Sequence, residues 1–163
     1  MKRLNFGCGK EVREGWDNVD IQKDSRITKS FDFNKFPYPL KKNVYDYVYS
    51  RSVLEHINDP ERVLEELWKI CKPGAIIEII VPYYNNKSAY VDIQHKHFFS
   101  DTSFYLFVKE ATRVNKKNMF EIAELTLVPT NIGKIVPCRL RGKLSLFIGG
   151  LISYVHVKLR VIK

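Results

Sequence analysis

The sequence predicts an α/β fold: a mostly parallel central sheet flanked by helices, with an antiparallel strand at one edge and a first crossover helix that is short or absent. Three observations predict it. Residues 2–6 and 16–21 read as short buried strands, and Ala75 to Val81 is a β-rich apolar run of the kind that fills the middle of a parallel sheet. Strands then alternate with helical patterns, which is the signature of layered α/β architecture. About ten residues join the first two strands, whereas a parallel crossover normally takes a dozen or more.

The elements follow in order. Arg3-Leu4-Asn5-Phe6 leads into the turn Gly7-Cys8-Gly9, and the second strand ends in Val19-Asp20-Ile21. Residues 44–50 alternate apolar and polar and read as a third strand. Asp59-Pro60-Glu61 opens a helix: Asp59 caps it, Pro60 fits its first turn, and Glu61 suits the dipole. Val63, Leu64, Leu67, Trp68 and Cys71 recur at three and four and give that helix one apolar face. Lys72-Pro73-Gly74 stops it, and Pro82 closes the strand that follows. Residues 83–99 form a polar and aromatic loop, and Ser100-Asp101 caps a helix over 101–112. Glu121 to Val128 and Tyr154 to Ile162 are two further strands that pair antiparallel at the edge.

The 163 residues make one domain with room for a full core. No stretch reaches the roughly 18 apolar residues of a membrane span, and Lys2 and Arg3 precede a strand rather than a leader. Cys8, Cys71 and Cys138 are odd in number and far apart, which predicts reduced thiols and a cytoplasmic setting. The net charge is +9, and no acid follows Glu124 while seven Lys and Arg residues do. Such a tail attracts phosphate, nucleic acid or an anionic membrane, or is simply a solvated basic face.

A glycine turn after one strand and a carboxylate at the end of the next suit a nucleotide-like ligand. The glycines let backbone approach closely, and the acid accepts ribose hydroxyls. The third glycine of the dinucleotide fingerprint and the Walker lysine are both missing.

Taken together these segments resemble a class I S-adenosylmethionine-dependent methyltransferase, small, single-domain and type 11-like. The resemblance runs through Leu4-Asn5-Phe6-Gly7-Cys8-Gly9, Asp20-Ile21, Phe31-Asp32-Phe33, Tyr45 to Ser50, Val53-Leu54-Glu55-His56-Ile57 and Lys72-Pro73-Gly74, and covers most of 1–128. It implies a Rossmann-like sheet, S-adenosylmethionine as cofactor and S-adenosylhomocysteine as product. It divides the domain into a cofactor-binding part, 1–82, and a substrate-side and C-terminal part, 83–163. It further implies that Asn5, Gly7 and Gly9 pass under the methionine part and that Asp20 holds both ribose hydroxyls. Ile21 packs on adenine, Asp32 and Phe33 meet its edge, and Ser50 and Arg51 border the pocket. Asn5 stands where the family usually carries an acid, and Lys10-Glu11 where a further glycine is usual.

Methyl transfer needs the acceptor positioned, and a base near neutral pH helps an oxygen acceptor. His56, after the strand at 44–50, and His97, after the strand at 75–81, are the catalytic or substrate-binding candidates, with His95 behind them. His56 reads equally as a residue packed at a helix entrance. His95, His97 and Asp92 offer too few ligands to predict a metal. The acceptor is expected to be small or anionic. RNA or tRNA methylation, and cofactor binding by a membrane-peripheral protein without transferase activity, are the alternatives. Residues 139–155 join a basic run to an apolar one, which suits a core helix, a homodimer contact or an interfacial segment.

Overall fold

The computed structural model describes residues 1–115 and 118–163. Seven strands form one sheet: β1 (Arg3–Phe6), β2 (Asp17–Asp20), β3 (Lys29–Ser30), β4 (Tyr45–Arg51), β5 (Cys71–Pro82), β6 (Phe120–Pro129) and β7 (Ile152–Val161). Their order is β3-β2-β1-β4-β5-β7-β6. The first five are parallel, while β7 runs antiparallel to both β5 and β6. β5 is therefore parallel on one side only, and the reversed pair occupies the edge, as expected. The two-residue β3 is too short to leave a sequence pattern.

Helices α1 (Pro60–Ile70), α2 (Asp101–Asn115) and α3 (Cys138–Leu144) accompany the sheet. The Asp59 carboxylate accepts from the Arg62 backbone N–H and caps α1, with Pro60 in the first turn. Val63, Leu64, Leu67 and Ile70 bury the inner face of α1 in the core cluster that also holds Leu4, Val48 and Ile77. Cys71 is not the last residue of that face. It leaves the helix and begins β5 opposite Tyr45, so Lys72-Pro73-Gly74 lies inside the strand, where the register with β4 slips. Gly74 takes up the irregularity at φ +76°. Phe104 of α2 is buried, and Phe107 lies against Phe120 of β6 with ring centres 5.6 Å apart.

Two expectations for the C-terminal third change. Residues 144–155 do not form a core helix: α3 ends at Leu144, turns follow, and β7 takes over at Ile152. Gly150 at φ +77° breaks the run, leaving Leu146, Phe147 and Ile148 exposed, Phe147 by 87 %. The basic tail is also partly neutralised within the fold. Antiparallel pairing sets Lys158 against Glu124 at 2.7 Å and Arg160 against Glu121 at 3.5 Å, and the Arg141 guanidinium donates to the Gly133 and Val136 carbonyls. No helix among the described residues is long and apolar enough to cross a membrane.

Candidate functional site

The strand order reverses between β1 and β4, and the carboxyl ends of the parallel strands converge there. In open α/β sheets this is where ligands bind. A cleft of about 480 Å³ opens at this point, lined by the ends of β1, β2 and β4 and by the loop after β5. A second limb of about 390 Å³ shares Gly7, Gly9 and Ser52 with it. Both volumes are in the range of small-molecule sites.

β1 drives its buried Leu4 and Phe6 into the core and delivers Gly7 to the cleft floor. Turns alone connect β1 to β2, as the short spacing predicts. Two buried amides do the work of the missing helix. Asn5 Nδ2 donates to the Glu11 carbonyl at 2.8 Å and to Asn18 Oδ1 at 2.9 Å, and Asn18 Nδ2 donates to the Arg13 and Trp16 carbonyls. Asn5 thus touches the second limb, but its amide hydrogens are committed to holding the loop.

Gly7 and Gly9 both have left-handed backbone, φ +72° and +49°. A Cβ on Gly7 would strike Val53 Cγ2 at 2.2 Å, whereas one on Gly9 would meet nothing within 4 Å and project into the opening. The Gly9 N–H donates to Asp20 Oδ2 at 2.7 Å, and the Gln22 N–H to Oδ1 at 3.0 Å. Each oxygen keeps a further lone-pair site, so the buried carboxylate is oriented but not saturated. Beside it Ile21 is 60 % exposed, a large apolar side chain held open at the cleft edge. Phe33 lines the opposite wall, stacked on Phe6 at 4.1 Å. Asp32 borders the same wall and accepts from the Asn34 N–H at 2.9 Å.

Of the residues expected at the end of β4, Arg51 lines the second limb and lies 5.5 Å over the Tyr154 ring. Ser50 is buried in the strand between Phe6 and Ile79 and does not line the cleft. Ser52 takes that place, held at φ +52° with its N–H on the Ile80 carbonyl. Ser52 lies just past the end of β4, so the end of the sheet, and not the alternation of the strand, decides which serine reaches the opening. Cys8 is buried, and burial together with the Asp20 carboxylate pushes its thiol up, which suits a space-filler and not a nucleophile.

The histidines separate. His56, in the 3-10 turn Leu54–His56, lines the main cleft together with Asp92 and Gln94. Burial and the neighbouring His95 hold its pKa down, against Asp92, which raises it. His97 lies on the other side of that turn, in a separate aromatic cavity of about 470 Å³ with Phe98, Phe99, Phe104 and Phe107. It is His95 that meets His56, ring centres 4.6 Å apart and edge to face. The Lys96 and His97 N–H groups both donate to the Glu55 carbonyl, at 2.7 and 3.3 Å, and so fix the loop on the turn. In the sequence Glu55 stands out only within the Leu54–Ile57 segment, Asp92 only beside His95 and His97, and Gln94 not at all, because their meeting depends on a contact between segments about 40 residues apart.

The cleft fits the cofactor that the resemblance implies. An oriented carboxylate with spare lone pairs, an exposed aliphatic face beside it, an aromatic wall, and a glycine whose missing Cβ leaves space answer to ribose, adenine and the methionine chain in turn.

Comparison with known proteins agrees. Residues 4–116 match the model of a family described as a methyltransferase domain. Phosphoethanolamine N-methyltransferase 2 of Caenorhabditis elegans is 27 % identical over 109 residues, which are 67 % of this chain and 22 % of that protein. The chain therefore spans about a fifth of the length of that curated relative. Among solved structures, an S-adenosylmethionine-dependent methyltransferase from Mesorhizobium loti superposes with a TM-score of 0.66 at 15 % identity, over 98 % of this chain and 90 % of its own. The [4+2]-cyclase SpnF superposes with a TM-score of 0.62 at 14 % identity, over 99 % and 74 %. A fold shared with a cyclase is no proof of reaction, and at such identities the structures speak for the fold alone. The family match spans more than half of the sequence, the Rossmann-like fold agrees with it, and together they lead to one conclusion: this chain belongs to the methyltransferase-domain family.

Proposed function

We propose that this chain transfers the methyl group of S-adenosylmethionine to a small, anionic acceptor. The observation that carries the reading is the Asp20 carboxylate at the switch-point cleft, set between the open Gly9 backbone and the exposed Ile21 face. In this reading Asp20 accepts both ribose hydroxyls through charge-assisted hydrogen bonds. Gly7 and Gly9 let the backbone pass close under the methionine chain. Ile21 and Phe33 flank the adenine, and Asp32 accepts from its amino group. The cofactor supplies a methyl carbon made electrophilic by its sulfonium, and the protein contributes orientation and exclusion of water. His56 faces the acceptor side and helps to hold it.

Lys10 and Arg51 line the second limb against the single Glu11, which favours an anionic ligand group there. The similarity to a phosphoethanolamine N-methyltransferase supports an acceptor of the same size and charge class. The free Cys8, Cys71 and Cys138 favour a reducing, cytoplasmic setting. A second reading concerns location. Leu146, Phe147 and Ile148 stand exposed near Arg139 and Lys143, which suits peripheral attachment to an anionic lipid surface.

Calorimetric titration with S-adenosylhomocysteine tests the cofactor site. Micromolar binding by the wild type that disappears in Asp20→Ala supports it, and no binding by the wild type overturns it. With the cofactor established, a labelled methyl donor offered with phosphate-bearing and neutral amines tests the acceptor class. Turnover of neutral amines alone would refute an anionic acceptor.

A further inference from the structure

Among the described residues, Glu55 is set apart by its surroundings. Its residue is 1 % exposed, and both carboxylate oxygens are buried without a hydrogen bond of ordinary geometry. A carboxylate stripped of water without such a bond is costly in a protein interior. The side chain is not surrounded by hydrocarbon, however. One ligand atom each of Glu55, His56 and His95 lie within 4.8 Å of one another. A triangle with sides of 4.8 Å has its centre about 2.8 Å from each corner, and zinc bonds to nitrogen and oxygen run to about 2.0–2.2 Å, so small side-chain movements would close the set around one ion.

The orientation of His95 points the same way. Its Nδ1 lies 2.8 Å from the Ala89 carbonyl oxygen. A carbonyl only accepts, so Nδ1 carries the hydrogen, and in the neutral ring the lone pair is on Nε2. A ring N–H anchored on a backbone carbonyl, with the other nitrogen left basic, is how proteins prepare histidine as a metal ligand. The loop that brings His95 in is fixed by its own hydrogen bonds to the Glu55 carbonyl, so the three residues are held together before any ion arrives.

We propose that Glu55, His56 and His95 form a binding site for a divalent first-row cation, of which zinc is the best match. Two neutral imidazoles and one carboxylate make a three-ligand set with open positions, the arrangement of sites that also take water or substrate. The open side is the cleft, since His56 lines it, and Asp92 stands on the same wall. The ion also resolves a conflict of charge. Glu55 and Asp92 would repel an anionic acceptor, and a dication between them and the cleft converts that repulsion into an oxygen-binding position. This last step rests on the methyl-transfer reading. The metal site itself does not.

The test is calorimetric titration of the full chain, stripped with chelator, with zinc chloride, and the visible absorption of the cobalt(II)-loaded protein. One equivalent bound at micromolar affinity or tighter, with the intense bands of a four- or five-coordinate site, is expected. Glu55→Gln and His95→Ala should each weaken zinc at least ~100-fold, and His97→Ala should leave it within about twofold, since His97 lies in the other cavity. Absence of saturable zinc binding in the wild type overturns the proposal, as does binding unchanged in both ligand variants. Weakening by His97→Ala equal to that by His95→Ala overturns the assignment of ligands. Far-ultraviolet circular dichroism and S-adenosylhomocysteine titration of the same variants separate a lost site from a lost fold. Zinc binding without S-adenosylhomocysteine binding would remove the methyl-transfer reading and leave the metal site standing. The converse would do the opposite.

Discussion

Replacing Gly7 and Gly9 by alanine, one at a time, separates folding from ligand binding. Both residues have left-handed backbone, where an L side chain costs about 1–2 kcal/mol. Alanine also restricts the unfolded chain, which returns about 0.4–1 kcal/mol. So far the two sites are alike. At Gly7 the new Cβ would stand 2.2 Å from Val53 Cγ2, and Val53 is β-branched and buried, with little freedom to turn aside. Overpacking of that kind costs about 1–3 kcal/mol more. Gly7→Ala should therefore destabilise by about 1–4.5 kcal/mol and Gly9→Ala by about 0–1.5 kcal/mol, the difference being the overpacking at Val53. The order inverts for the ligand in Gly9→Ala relative to its stability, because there the Cβ enters the open cleft. Urea unfolding gives the first quantity and S-adenosylhomocysteine calorimetry the second. Gly9→Ala should fold like the wild type and bind at least ~10-fold more weakly, which corresponds to about 1.4 kcal/mol. Wild-type affinity in Gly9→Ala, or equal stability losses in the two variants, would refute the placement of the cradle.

Asp20→Asn keeps the shape but removes the charge, and a charged hydrogen bond is worth about 1.5–3 kcal/mol, so S-adenosylhomocysteine affinity should fall ~10- to 100-fold by calorimetry. Glu66 is buried, with the Tyr38 N–H at 2.8 Å and Lys69 Nζ at 2.7 Å; burial alone would raise its pKa, but these partners outweigh it and hold the carboxyl below its ordinary value. A lowered folded-state pKa means stability that is present above the ordinary glutamate range and lost as pH falls through it, so the urea midpoint should drop between about pH 5 and 3, and less steeply in Glu66→Gln. Phe147→Ser removes an exposed ring and should leave stability within about 0.5 kcal/mol, while cutting sedimentation with anionic vesicles if the tip meets lipid; unchanged sedimentation would rule out the tip as the anchor.

Much of this protein is local and therefore legible in its sequence. The Asp59-Pro60 cap, the three-and-four spacing of Val63, Leu64 and Leu67, the apolar run from Ala75 and the short β1–β2 link each act within a few residues, and each forms as the pattern predicts. The positions of Gly7, Gly9 and Asp20 at strand ends are local too, and they converge because parallel strands bring their carboxyl ends to one side of the sheet. Three things needed the tertiary structure. The amides of Asn5 and Asn18 replace a helix through hydrogen bonds between neighbouring strands, which no spacing reveals. Ser52, not Ser50, reaches the cleft, because the end of the sheet and not the alternation of the strand sets the boundary. The partner of His56 is His95, not His97. Two residues of separation in an irregular loop turn side chains to opposite sides of the Leu54–His56 turn, and only the docking of that loop on the Glu55 carbonyl decides which histidine faces the buried carboxylate.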